Sequence, residues 1–146
     1  MKTDLARILS VAGQHGLFEY VAQARNGAIA ESLADKKRTV LTGTARITSL
    51  EDIAIYTSEG EMKLDAVFTA LHNYLGEKEA PSPKADGAEL EGLFAAAIPN
   101  YDADRFYVSH MRKVVDWYAQ LSKYASLEFM TDEDRKAEYE AKKEEE

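Results

Sequence analysis

The sequence contains no cysteine, three prolines and a single tryptophan in 146 residues. The lack of cysteine removes disulfides, thiolate nucleophiles and Cys-type zinc sites, and it fits a reducing compartment. Long hydrophobic runs are missing too. The opening MKTDLARILS carries an acid at Asp4 and only a short apolar stretch, so it reads as neither signal peptide nor membrane span. The expectation is a cytoplasmic protein with no membrane contact. Basic charge is in deficit, with 18 Lys and Arg against 26 Asp and Glu and a net charge of −8. Such a chain repels nucleic-acid phosphates and anionic membranes. Catalytic signatures are absent as well: no G-x-S-x-G elbow, no phosphate loop and no H-E-x-x-H helix. A nucleotide-binding enzyme is disfavoured, and no cofactor or metal is expected.

The charge is unevenly spread. Residues 1–75 hold 8 basic and 9 acidic side chains, 76–130 hold 6 and 9, and 131–146 hold 4 and 8. The first part is nearly neutral and leaves room for a local basic patch. The tail TDEDRKAEYEAKKEEE has Tyr139 as its only large apolar group and reads as frayed helix or disorder.

Periodicity gives the architecture. Asn26-Gly27 is a strong hairpin signal, because a type I′ turn needs positive φ at both central residues. LFEYVAQAR therefore pairs with AIAESL. The polar turn Ala34-Asp35-Lys36-Lys37 leads into RTVLTGTARI, where Gly43 predicts a bulge or bend. Residues 8–12 form a first strand ended by Gly13-Gln14-His15-Gly16, and EDIAIYT is the last strand, preceded by a helical turn over Ser49-Leu50-Glu51-Asp52. Five short strands of this kind predict a small closed SH3-like β-barrel. KLDAVFTALHNYL appends an amphipathic helix. GEKEAPSPKADG, with two of the prolines, has no periodicity and reads as a linker. AELEGLFAAAI, stopped by Pro99, and SHMRKVVDWYAQLSKY, with Ser109 as N-cap, are two further helices. The class is α+β: a barrel domain plus helix over 1–76, a linker over 77–87, a small all-α domain over 88–130 and a charged tail over 131–146.

The runs M-K-T-D-L, G-L-F-E-Y-V-A-Q-A-R-N-G, K-R-T-V, S-L-E-D-I-A-I-Y-T, P-N-Y-D-A-D-R-F-Y-V-S and V-V-D-W-Y resemble a family of short uncharacterised proteins from Bacteroidota. Its members carry an N-terminal domain of unknown function, for which the SH3-like barrel is expected, and a small C-terminal helical domain of unknown function. The resemblance covers roughly residues 1–125. It implies a two-part organisation and supplies no catalytic residue or cofactor.

Three functional readings follow. In the first, the chain is a non-catalytic interaction protein that binds another protein or itself. The surplus of aromatics around Tyr107 and Trp117, with Tyr101, Phe106 and Tyr118, exceeds what one helical face needs and suits docking. In the second, it is a nucleic-acid-binding regulator. Lys36, Lys37 and Arg38 cluster, Arg25 and Arg46 add charge, and Phe18, Tyr20 and Tyr56 offer ring faces. Successive meander turns alternate between the sheet's ends, so Lys36 and Lys37 stand apart from Arg25. In the third, Asp102, Asp104 and His110 form an acid–base or metal site. Asp at a helix entry more commonly caps. His15, in a turn, and His72, on a polar helix face, have no sequence-local partner.

Overall fold

The computed structural model describes residues 3–12, 16–42 and 46–145. The expected bend at Gly43 and the turn containing His15 lie outside the described residues. Five strands, β1 (Ile8–Val11), β2 (Leu17–Ala24), β3 (Gly27–Ser32), β4 (Arg38–Thr42) and β5 (Ile47–Ser49), form one antiparallel sheet in the order β4-β3-β2-β1-β5. Two further strands, β6 (Ala54–Thr57) and β7 (Gly60–Lys63), form a separate hairpin.

The sheet is strongly curled, and chain length shows why. From Thr42 to Ile47 the backbone reaches at most about 18 Å. Strands β4 and β5 stand at opposite ends of the sheet order. In a flat sheet they would be about 19 Å apart across the strands before any offset along them. That offset is large, because Thr42 pairs with Gly27 near the end of β2 while Ile47 pairs with Val11 near its start. A register shift between Tyr20 and Ala22 marks a bulge where β2 bends. The concave side holds a small core of Leu9, Val11, Ala30 and Leu41, with Phe18, Tyr20 and Ile47 packed on it.

These strands correct several expectations. The described ladders do not close into a barrel. The fifth strand of the sheet is Ile47–Ser49, not EDIAIYT, and the 3-10 turn Leu50–Asp52 follows it. EDIAIYT supplies β6, whose partner is β7. The β2–β3 hairpin lies where Asn26-Gly27 places it, but Ala24 pairs with Gly27, so the two loop residues are Arg25 and Asn26. Among the described residues Lys36, not Asn26, is the non-glycine residue with positive φ.

Helix α1 (Leu64–Leu75) ends at Gly76, whose φ of 61° suits glycine. Helix α2 (Gly87–Ala97) stops before Pro99, and α3 (Val108–Tyr124) starts one residue ahead of Ser109 with Tyr107 at its N-cap. The main core takes Leu5, Ile8, Leu17, Leu33 and Leu50 from the sheet region and joins them to Leu64, Val67, Phe68 and Leu71 of α1, Leu90 and Phe94 of α2, and Met111, Val115 and Leu121 of α3. Alternation explains the division of labour: Ile8 faces the helices, while Leu9 and Val11 fill the concave side. Residues 77–86 connect α1 to α2 and lay Ala80 and Ala85 on this same core. Among the described residues no helix is long and apolar enough to cross a membrane.

The tail, read as frayed helix or disorder, is helical. Asp132–Glu145 forms helix α4, opened by reciprocal bonds between Thr131 and Asp134. The segment before it is pinned by Thr3, which bridges to Phe129 and whose hydroxyl donates to Ser126 O at 2.7 Å. None of the described side chains of α4 belongs to either hydrophobic cluster. Arg135 ties it down instead, donating to Asp4 at 3.0 Å and to Glu51. Burial works to lower the Arg135 pKa, and the Glu51 hydrogen bond with both carboxylate charges outweighs this and raises it. Arg135→Gln should cost α4 about 1–2 kcal/mol of local stability. Hydrogen exchange over residues 132–141 should then accelerate about tenfold while α3 stays unchanged; equal rates in α4 would remove Arg135 as its anchor.

Candidate functional site

The joint between the β6–β7 hairpin and the α2–α3 loop gathers exposed aromatic and cationic groups. Tyr101 bridges to Thr57, Ser58 N–H donates to Asn100 O at 2.9 Å, and Asp102 N–H donates to Tyr56 O at 2.9 Å. The loop thus runs along β6 and sets Arg105 over the Tyr56 ring, 4.4 Å from its centroid. Asp102 fixes Arg105 by accepting from its Nε at 2.9 Å. That hydrogen bond first, and the backbone N–H of Asp104 next, hold the Asp102 carboxyl below its ordinary range. Tyr107 is 56% exposed and Tyr56 38% exposed. The His110 ring lies 5.3 Å from Tyr107 and nearly parallel to Phe106 at 6.3 Å. Phe106 is buried and meets Phe94 edge-on at 5.0 Å, so this outer layer is rooted in the core.

Asp102, Asp104 and His110 do not converge. Asp102 organises the loop, accepting from Asp104 N–H at 2.9 Å, while Nδ1 of His110 accepts from Tyr107 N–H at 3.2 Å at the start of α3. The Asp102 and His110 side chains each perform a local backbone role, which is the capping behaviour such residues favour. Among the described residues no group of three or more His, Asp or Glu side chains is placed to hold a metal ion. His72 is exposed on α1.

The predicted surface residues fall into separate places. Lys36, Lys37 and Arg38 lie at the β3–β4 turn, exposed, with Arg38 3.9 Å from Glu31. Arg25 sits in the β2–β3 turn, beside the opposite end of β4, since Gly27 pairs with Thr42. Arg46 precedes β5 at the other end of the sheet order, where its carbonyl accepts from Ala12 N–H at 2.9 Å. The basic residues therefore do not merge into one stripe. Tyr107 joins the aromatic joint described above, whereas Trp117 is half-buried on the main core, about 15 Å further along α3. Phe18 and Tyr20 pack on the concave core. Burial raises the pKa of Tyr118, also a core residue.

Two features have no local signature in the sequence. The Tyr56–Arg105 contact joins residues far apart in the chain. The Arg135 anchor likewise reaches Asp4 at the opposite end of the chain. An open cleft of about 1050 Å³ lies beside α4, where Lys36 and Arg7 share walls with Asp134 and Glu138. Its lining mixes both signs.

Two family models match the chain. A Domain of unknown function (DUF5606) covers residues 5–50, and a Domain of unknown function (DUF6852) covers residues 53–121. They meet beside the 3-10 turn Leu50–Asp52, upstream of residues 77–87. A solution NMR structure from Bacteroides vulgatus, determined as a structural-genomics target, shares 33% identity with a TM-score of 0.70. The alignment covers 87% of this chain and 97% of that one. No curated protein matches.

Proposed function

The chain belongs to the same family as the Bacteroides vulgatus protein, one that joins two domains of unknown function, and from that premise we propose that it is a non-catalytic interaction protein acting in the cytoplasm. Its docking surface is the Tyr56–Arg105–Tyr107–His110 joint. One observation carries the reading: tyrosine and arginine, the residue types that dominate protein–protein hot spots, are held exposed here on a buried aromatic base. Such anchoring leaves little side-chain freedom to lose on binding. For the N-terminal part, the curled five-strand order and its private concave core support an SH3-like half-barrel as scaffold.

The test is affinity capture from the native cell with nuclease-treated and untreated arms. The full chain should retain a nuclease-resistant protein partner. Arg105→Ala with Tyr107→Ala should weaken that partner at least about thirtyfold, the scale of a hot-spot loss. Tyr74→Ala, at an exposed tyrosine on α1, should leave it bound. Capture abolished by nuclease would replace this reading with the nucleic-acid one. Capture unaffected by the double substitution would remove the joint from it.

A further inference from the structure

A second surface, independent of the aromatic joint, has a defined chemistry. Strand β4 pairs with β3 on one side, and among the described residues no strand pairs with its other side. The phase of its backbone is fixed. Ser32 N–H donates to Lys37 O at 2.9 Å, so Ser32 turns its amide towards β4, and by alternation so do Ala30 and Ala28. Their register partners are Thr39 and Leu41. Arg38 and Val40 therefore turn their N–H and C=O outward. Val40 is 54% exposed, and the other exposed large hydrophobics among the described residues are tyrosines. Leu41 points the other way, into the concave core.

Charge brackets this edge. Lys36 and Lys37 precede β4, Arg38 opens it, and Arg25 stands beside its far end. The acids along this edge are Glu31, loosely placed 3.9 Å from Arg38, and Asp35, whose carboxylate accepts from Lys37 N–H at 2.9 Å, while Lys36 faces the mixed-sign cleft that Asp134 and Glu138 also line. Away from that cleft, Lys37, Arg38 and Arg25 outnumber Glu31 and Asp35 along the edge, in a chain of net charge −8. We propose that the outer edge of β4 is a strand-addition site for an extended acidic segment of a partner protein. The segment's backbone pairs with Arg38 and Val40, an apolar side chain covers Val40, and flanking carboxylates meet Lys37 and Arg38 at one end and Arg25 at the other. Two alternative occupants fit less well. Antiparallel pairing with a second copy sets Arg25 of each chain against the Lys36–Arg38 turn of the other, which deters edge-to-edge association. A nucleic acid offers phosphates to the cations but no amide ladder to the edge.

The full chain is titrated into a fluorescein-labelled peptide with a Val-Thr-Val centre and glutamates at both ends, read by fluorescence polarisation at low salt. Val40→Pro is the discriminating variant. It removes an N–H that faces solvent rather than β3, a position where strands tolerate proline. Binding should fall about tenfold with Val40→Pro while the melting curve holds. Lys37→Glu with Arg38→Glu should reverse preference to the lysine-flanked peptide of the same centre, and it serves as the readout if the proline variant does not fold. No binding of the glutamate peptide at millimolar concentration would overturn the proposal. So would equal binding by Val40→Pro and the full chain, or a duplex DNA that displaces the peptide and binds the full chain and Val40→Pro alike.

Discussion

Gly27→Val should destabilise the protein by about 3 kcal/mol or more, lowering Tm by roughly 6–12 °C. The cause is a close approach between strands. A Cβ built on Gly27 falls 1.8 Å from the Leu41 carbonyl oxygen and 2.8 Å from its carbonyl carbon. No side-chain rotation relieves a clash with backbone, so β3 and β4 must separate and lose ladder bonds. The φ of 159° at Gly27 adds conformational strain to any replacement. Gly27→Ala separates the two causes. If the offending atom is Cβ, alanine should cost nearly as much as valine. If Gly27→Ala changes stability by less than about 0.5 kcal/mol, the range of an uneventful surface change, the close approach is wrong.

This glycine shows what the sequence made legible and what it did not. Asn26-Gly27 announces a hairpin at the right place. The reason differs, because a turn-type argument sees only local φ, and the demand on Gly27 comes from Leu41, fourteen residues on. The same limit explains the barrel. Alternation in EDIAIYT correctly marks a strand at β6, but partner choice is non-local, and the Ser58-Glu59 turn before Gly60 delivers β7 as the nearer partner. GEMK in β7 has one apolar residue, too few for a periodic signal. Helices α1 and α3 were legible because each carries a continuous apolar stripe against the core. Helix α4 was legible only as one of two readings, frayed helix or disorder, since its described side chains add no apolar stripe to the core and its Arg135 anchor reaches Asp4 and Glu51 far away in the chain. Of the candidate surface, composition named Tyr107 and the Lys36–Arg38 cluster. Tyr56 was named as a ring face, yet its pairing with Arg105 arises only when the α2–α3 loop pairs along β6.

Phe68→Ala should remove about 3–5 kcal/mol, the usual cost of deleting a fully buried phenyl ring. Its side chain has no exposure, and its ring lies 5.8 Å from Phe129 and 6.3 Å from Tyr118, so it joins α1, α3 and the segment leading to α4. The larger consequence concerns cooperativity. Two family models divide the chain at residues 50–53, yet one hydrophobic cluster runs through that boundary, with Leu5, Ile8, Leu17 and Leu50 on one side and Phe68 and Val115 on the other. Leu50 itself has no exposure. A core shared in this way couples the two parts, since neither can open without exposing apolar surface of the other. Unfolding by urea should therefore show one transition, with Trp117 fluorescence, far-UV circular dichroism and the Ala30 amide resonance sharing a midpoint. In Phe68→Ala all three midpoints should move down together. If the Ala30 resonance keeps its original midpoint while Trp117 moves, the curled sheet is stable on its concave core alone, and the boundary at residues 50–53 separates two independently folding units.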